Sequence, residues 1–488
     1  MSERQLPSTI DYSRVLPMSI PALAKRHKFY PQNGTTFSFV GTDEIRIQVS
    51  SQNALLDAAH GYLEFELRNT TAAPGALNFG PDLGGSMNYF RRAAVEQGGK
   101  ILSEVHEVNR LYAAVLNPCQ LASSGKASDG IRGSQRAYNG VLAASNVPAA
   151  PGLPGDNYIC ASHNTDAYFA AGFAHRFTMP VTSGLFGQDK LIPLPLVNPN
   201  EPITIVLNLA NPTMAGCWSG AGVAAGDLEI LNVCYTAQLI EVGRDVIEQF
   251  RGVQDQMGGQ LVLSGQDWET SSEPVAGGAA LGQVNLRLPV RKRSIKSVFW
   301  IAQSNDYANT GGIGAAETYS TSFCGSMNIA SWNLKFGSVV FPSVPIECWG
   351  DTAVPAVGVF RRGECAMNLA AAFGTLGWQN PTGTLSTLTY GTDAGVLASG
   401  DNGVGGAPLV PIGGSTQAIC PFGVSTEAYS RAITESGQDT ETMAQETYLQ
   451  LNWDGGVTPG AEDKLVHMWV LYDQHYFFNR DGSITFSN

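Results

Sequence analysis

The sequence predicts an all-β chain built as two β-bodies of similar size joined near its middle. Three observations carry this. Segments in which apolar and polar residues alternate recur along both halves, as half-buried strands require. Glycine and proline are abundant, 55 and 26 of 488 residues, and only 15% of residues are charged, so turns and uncharged polar loops separate those segments. The hydrophobic period also changes once at the centre. Leu231, Val233, Tyr235, Ala237 and Leu239 alternate, whereas Val246, Phe250, Val253 and Met257 recur at helical spacing. The stretch 227–257 is therefore expected to close one body with a strand and lead through a helix to the next. The expected division is an N-terminal arm over 1–38, a first body over 39–242, a linker helix over 243–258 and a second body over 259–488.

In chain order, residues 1–38 hold Pro7, Pro17, Pro21 and Pro31 without a sustained period. They read as an extended arm that packs on something else. Alternation begins with Ile45, Ile47 and Val49 and returns with Leu63, Phe65 and Leu67. Gly98-Gly99 is a hairpin signal. Ile101, Val105, Val108, Tyr112 and Val115 then step by four, three, four and three, which predicts a helix. Residues 119–166 form a long loop rich in Gly, Ala, Ser and Pro. Strands are expected at 174–181, 190–197 and 203–210.

The second half repeats this plan. Val284, Leu286, Leu288 and Val290 alternate, and 294–303 is apolar on both faces, as in a central strand. Loops cover 304–330 and 377–414. Strands are expected around Trp332, Leu334 and Phe336 and over 447–453 and 464–472, with a short helix around Leu369, Phe373 and Leu376. Asp481-Gly482 turns a terminal hairpin. Two bodies of about eight strands, each with one helix and long loops, suggest two consecutive eight-stranded jelly rolls, although other Greek-key sandwiches share this strand pattern.

Charge and motifs exclude several functions. A net charge of −13 argues against nucleic-acid binding by the whole surface. Two basic clusters stand out against it: Lys25, Arg26 and Lys28, and Arg291, Lys292 and Arg293 followed by Lys296. Each is weighed as an interior or assembly contact against ordinary solvated loop charge. Eight scattered cysteines without a CxxC pair read as reduced and mostly buried, which implies folding inside a cell. No apolar run approaches the ~18 residues of a membrane span, and the first residues lack the apolar core of a secretory signal.

HExxH, GxSxG and phosphate-loop motifs are absent. Asp439 and Glu441, with Glu435, are a candidate cation loop weighed against a solvated one. His467 reads as a hydrogen-bonded core residue. Trp332, Trp453 and Trp469 read as core rather than as a sugar-stacking platform. No residue is assigned a catalytic, cofactor-binding or metal role, and no enzymatic activity is expected.

In order and texture the chain resembles the double jelly-roll major capsid proteins of icosahedral double-stranded DNA viruses, the lineage of adenoviruses, tailless membrane-containing phages, virophages and polinton-like viruses. LLDAAHGYLEFELRN is similar to the opening strands of that fold, and FRRAAVEQGGKILSEVHEVNRL to the strand, turn and helix that follow. LIPLPLVNPNEPITIVLNLA and LEILNVCYTAQLIEV are similar to the strands that complete the first roll. LRLPVRKRSIKSVFWIAQ, WNLKFGSVVFPSVPI and FFNRDGSITFS take corresponding places in the second.

The resemblance implies a homotrimeric, pseudo-hexameric capsomer that tiles an icosahedral shell around DNA. The chain would be located in the virion and need no cofactor. Its expected partners are itself, neighbouring capsomers, penton and minor capsid proteins, and an internal membrane or the genome. The competing expectation is a carbohydrate-binding or carbohydrate-active β-sandwich.

Overall fold

The computed structural model describes residues 22–41, 43–70, 85–116, 174–188, 190–210, 228–277, 281–304, 324, 327, 329–348, 362–376, 421–427, 437–441, 446–453 and 463–487. The expected loops 119–166 and 377–414, and nearly all of 304–330, lie outside the described residues, as does Glu435.

The first half supplies β1 (Ala22–Phe29), β2 (Thr36–Ser38), β3 (Glu44–Val49), β4 (Ala54–Asn69), β5 (Phe90–Gln97), β6 (Lys100–His106), β7 (Ala174–Met179), β8 (Ile203–Leu209) and β9 (Leu228–Val242). One sheet runs β1-β9-β4-β7, with β2 also on β9, and the other runs β3-β8-β5-β6. The second half supplies β10 (Gln260–Val275), β11 (Gln283–Leu288), β12 (Ile295–Ser304), β13 (Ser331–Phe336), β14 (Val339–Glu347), β15 (Phe422–Ser425), β16 (Thr447–Asn452), β17 (Lys464–Asn479) and β18 (Ile484–Ser487). Its sheets run β10-β17-β12-β15, with β18 on β17, and β11-β16-β13-β14.

Counted over β2–β9 and over β10–β17, with β1 and β18 as added strands, each half has eight strands, and both halves give the same orders. One sheet is first-eighth-third-sixth and the other second-seventh-fourth-fifth. Outer strands of the sequence pair before inner ones, which is the winding of a jelly roll, and it occurs twice. This repeated order resolves the Greek-key alternatives that alternation leaves open.

The period-two pattern explains the packing. β3 buries Ile45, Ile47 and Val49, and β16 buries Leu449 and Leu451. Within the first roll Phe65 packs edge-on against Tyr89 and Phe90 and stacks on Phe177. In the second, Trp300 stacks on Phe422 with ring centroids 4.0 Å apart. The helix Arg362–Gly374, expected around Leu369 and Phe373, lays those residues and Ala372 on β12 and β15. Gly423 permits this approach, because a Cβ there would stand 2.9 Å from both Leu369 and Phe299.

Three elements differ from expectation. The predicted helix from Ile101 is a strand as far as His106, paired with β5 across Gly98 and Gly99. Both glycines have positive φ, at 57° and 81°, which fits the turn expected there. The helical spacing applies only from Val108. Glu107, left-handed at φ 50°, breaks the strand, and a short α turn continues as a π turn over Leu111–Leu116. The strand expected at 190–197 reduces to one bridge, Leu56 with Ile192, followed by a 3-10 turn at Leu194–Leu196. Pro193 and Pro195 remove the donors a ladder would need. Residues 22–29 of the arm pair with β9 of this same chain, Ala22 opposite Val242 through Phe29 opposite Tyr235.

Candidate assembly surfaces and the seam between the rolls

The two rolls meet where β6 of the first lies beside β10 of the second. Asp267 on β10 is fully buried there. Its Oδ1 accepts from Ser103 Oγ at 2.9 Å, from the Gly184 N–H at 3.2 Å and from the Trp268 N–H at 2.9 Å. Its Oδ2 lies 3.2 Å from the Tyr476 hydroxyl. Burial pushes this carboxyl up to about 6, against the pull of its donors.

The close approach depends on glycine. A Cβ on Gly184 would stand 2.5 Å from the Tyr476 hydroxyl, and one on Gly265 would stand 2.7 Å from the Gly184 carbonyl. Gln474 donates to the Leu102 carbonyl at 3.4 Å, and the Trp469 indole donates to the His106 carbonyl at 3.2 Å.

The terminal hairpin is a second clasp. The turn expected at Asp481-Gly482 is present, with Gly482 at φ 82°. The Gly482 carbonyl accepts from Gln97 Nε2 at 2.8 Å and from the Asn198 N–H at 3.0 Å, both in the first roll. The Ile484 N–H returns to Gln97 Oε1 at 2.5 Å. The linker helix Arg244–Gln256 is tied down by Gln254, which donates to the Phe478 carbonyl at 2.7 Å.

The basic clusters take different positions. Lys25, Arg26 and Lys28 lie on the exposed edge strand β1. Lys25 pairs with Glu241 at 2.7 Å, Lys28 with Glu64 at 2.5 Å, and Arg26 reaches Glu64 at 3.8 Å while lying over the Tyr62 ring. Desolvation opposes ionisation of Glu64, yet the bond and charge of Lys28, aided by Cys234 and Arg176, hold it below the usual carboxylate range.

Arg291 and Arg293 are exposed. Lys292 is mostly covered, pairing with Glu269 at 3.3 Å and lying 4.0 Å from the Tyr472 ring centre. Lys296 does not belong with them. It is 1% exposed and sits between Glu427 at 2.9 Å and Asp473 at 3.5 Å, a buried ion triad inside the roll.

Large apolar side chains remain on the surface of the single chain. Leu23, Tyr30 and Val40 are exposed near β1 and β2, and Val339, Val340 and Val344 on β14, an edge strand. On the linker helix Val253 and Met257 are exposed and Val246 and Phe250 only half-buried. The helical period was legible there, but this chain alone does not bury the face it creates.

The candidates for chemistry resolve differently. His467 is buried, its Nδ1 2.8 Å from Ser272 Oγ, and burial with the charges of Arg110 and Arg91 keeps its pKa well below the ordinary value. Trp332, Trp453 and Trp469 are all buried, so they offer no stacking platform to a sugar. Asp439 accepts from the Glu441 N–H at 2.9 Å, an ordinary loop turn. Among the described residues no three His, Cys, Asp or Glu side chains converge on a point that would hold a metal ion. No helix among them is long and apolar enough to cross a membrane.

No family model matches the chain, and no curated protein matches it. Solved structures do match. The crystal structure of PBCV-1 VP54 fitted into a cryo-EM reconstruction of the virophage Sputnik is 10% identical, aligning 98% of this chain with 99% of that one at a TM-score of 0.58. A quasi-atomic model of the PBCV-1 virus capsid is 11% identical, with 98% and 99% covered and a TM-score of 0.57. The cryo-EM structure of the Sputnik virophage is 11% identical, with 100% and 93% covered and a TM-score of 0.52. Sequence identity this low speaks for the fold alone. That fold is the double jelly roll of viral major capsid proteins, and this chain has it over nearly its whole length.

Proposed function

We propose that this chain is the major capsid protein of an icosahedral double-stranded DNA virus, located in the virion shell. It acts as a homotrimer whose six rolls form a pseudo-hexagonal capsomer. The observation that carries this is the winding itself. Two rolls with one strand order lie against each other along a buried seam, and the alignment to capsid structures runs through both.

The exposed apolar groups on β1, the linker helix and β14 are what a subunit designed for neighbours would leave uncovered in one copy. Obligate interfaces of this kind are more hydrophobic than transient ones. In this reading the chain performs no reaction. It binds other copies of itself, neighbouring capsomers, and penton and minor capsid proteins. The arm 1–38 and the exposed cations Lys25, Arg26, Lys28, Arg291 and Arg293, with the mostly covered Lys292, are assigned to contacts with the interior, genome or membrane. Light scattering on the purified chain is expected to give a particle near three times 51.8 kDa. A monomer at every concentration and salt tested would overturn the capsomer reading.

A further inference from the structure

Cys348 follows the end of β14, and Cys365 lies in the first turn of the helix Arg362–Gly374, 17 positions later. Their sulfurs are 3.1 Å apart, and both side chains are buried. Neither is in a disulfide. The separation exceeds a covalent S–S bond of ~2.05 Å by only about 1 Å. Each thiol is also held in place: Cys365 contacts the Glu347 carbonyl at 3.4 Å and Cys348 the Ile346 carbonyl at 3.8 Å. The Glu347 N–H donates to Glu364 at 3.2 Å, so the strand end and the helix start are already fastened beside the pair.

We infer that Cys348 and Cys365 are a built modification site, a dithiol that closes to a disulfide when the protein meets a peroxide. One sulfur attacks the peroxide oxygen, becoming a sulfenic acid and releasing water. The neighbouring thiolate then displaces the hydroxyl as a second water and forms the S–S bond. Two thiols are oxidised, one peroxide is reduced, and both thiol protons leave in water. A small oxidant suits the site because the sulfurs are enclosed. The bond joins the edge strand of one sheet to the helix that lies on the other, so it fastens the two layers of the second roll. A reducing cell keeps the pair open, and an oxidising exterior closes it. This follows from the two cysteines alone and does not depend on the capsid reading.

The test uses the full-length chain, reduced, then treated with hydrogen peroxide and digested without reductant. A peptide linking Cys348 to Cys365 is expected, together with a rise in melting temperature of roughly 5 °C that dithiothreitol reverses. Cys365→Ser and Cys348→Ala, each checked for folding by circular dichroism, should both lose the linked peptide and the rise. Separate sulfinic acids, or bonds chiefly to other cysteines in protein that remains folded, would overturn the inference. Because the wild-type peptide map is decisive on its own, a variant that fails to fold leaves the test intact.

Discussion

Ser103 of the first roll donates its hydroxyl to Asp267 of the second at 2.9 Å, and both residues are buried. Tyr476 stands beside them with one hydroxyl proton and two acceptors within reach, Asp267 at 3.2 Å and Gln474 at 3.1 Å. Burial is what raises the Asp267 carboxyl to about 6, and the Ser103, Trp268, Gly184 and Tyr476 donors pull the other way.

The pH dependence follows from that shift. The folded-state value lies above the ordinary 3.8, so the stabilisation is fully present below about 4 and is lost as pH rises through about 6. The amount at stake is on the order of 3 kcal/mol. Asp267→Asn is expected to flatten the melting temperature between pH 4 and 6 relative to wild type. Asp267→Ala strands the donors and should cost about 2–4 kcal/mol at any pH. Parallel thermal melts of the three proteins at pH 4, 5 and 6.5 check this, and an unchanged slope in the Asn variant would reject it.

Lys296 gives a second prediction. Its ammonium is shared between Glu427 and Asp473, with all three side chains at most 2% exposed. Lys296→Ala leaves two buried carboxylates without their shared cation, and should destabilise by about 3–5 kcal/mol. Chemical denaturation would measure the loss. A cost below about 1 kcal/mol would mean the carboxylates find other relief.

A third concerns Gly61 on β4. A Cβ there would stand 2.1 Å from the Tyr235 hydroxyl and 2.7 Å from its Cζ. Tyr235 is buried, and its hydroxyl finds no hydrogen-bond partner among the described residues. Gly61→Ala is expected to cost about 1–3 kcal/mol through overpacking. Tyr235→Phe removes an unsatisfied polar atom and should be neutral or slightly stabilising. The double variant should recover part of the Ala loss but not all, because the ring carbon still crowds the site. Full additivity in a double-mutant cycle would show that the two residues do not meet.

What the sequence disclosed follows from which faces are buried. β3 and β16 were legible because one face meets a core and leaves a period of two. β1 was not, because nearly every residue from Ala22 to Phe29 is exposed and no buried face imprints a period. β6 was misread because Val105 fits the helical series that Val108, Tyr112 and Val115 continue. The seam left no motif at all. Ser103, Gly184, Asp267 and Tyr476 are far apart in the chain and ordinary one by one. Lys296 did carry a signal, since a charge in a strand apolar on both faces demands a buried partner. Its proximity to Arg291, Lys292 and Arg293 placed it in the wrong group.

The last prediction separates folding from assembly. The cations of β1 project from a strand whose ladder to β9 is made by backbone groups. Their ion pairs with Glu64 and Glu241 are exposed on the cationic side, and exposed pairs contribute little. Replacing Lys25, Arg26 and Lys28 together by Gln should therefore shift the melting temperature by less than about 3 °C and leave the trimer intact. If these residues meet an acidic partner inside the shell, the same variant should yield few or unstable particles on gradient sedimentation, and the defect in wild-type assembly should grow with added salt. Normal particle yield from the triple variant would reduce the cluster to solvated charge and move the search for interior contacts to Arg291 and Arg293, which no buried network restrains.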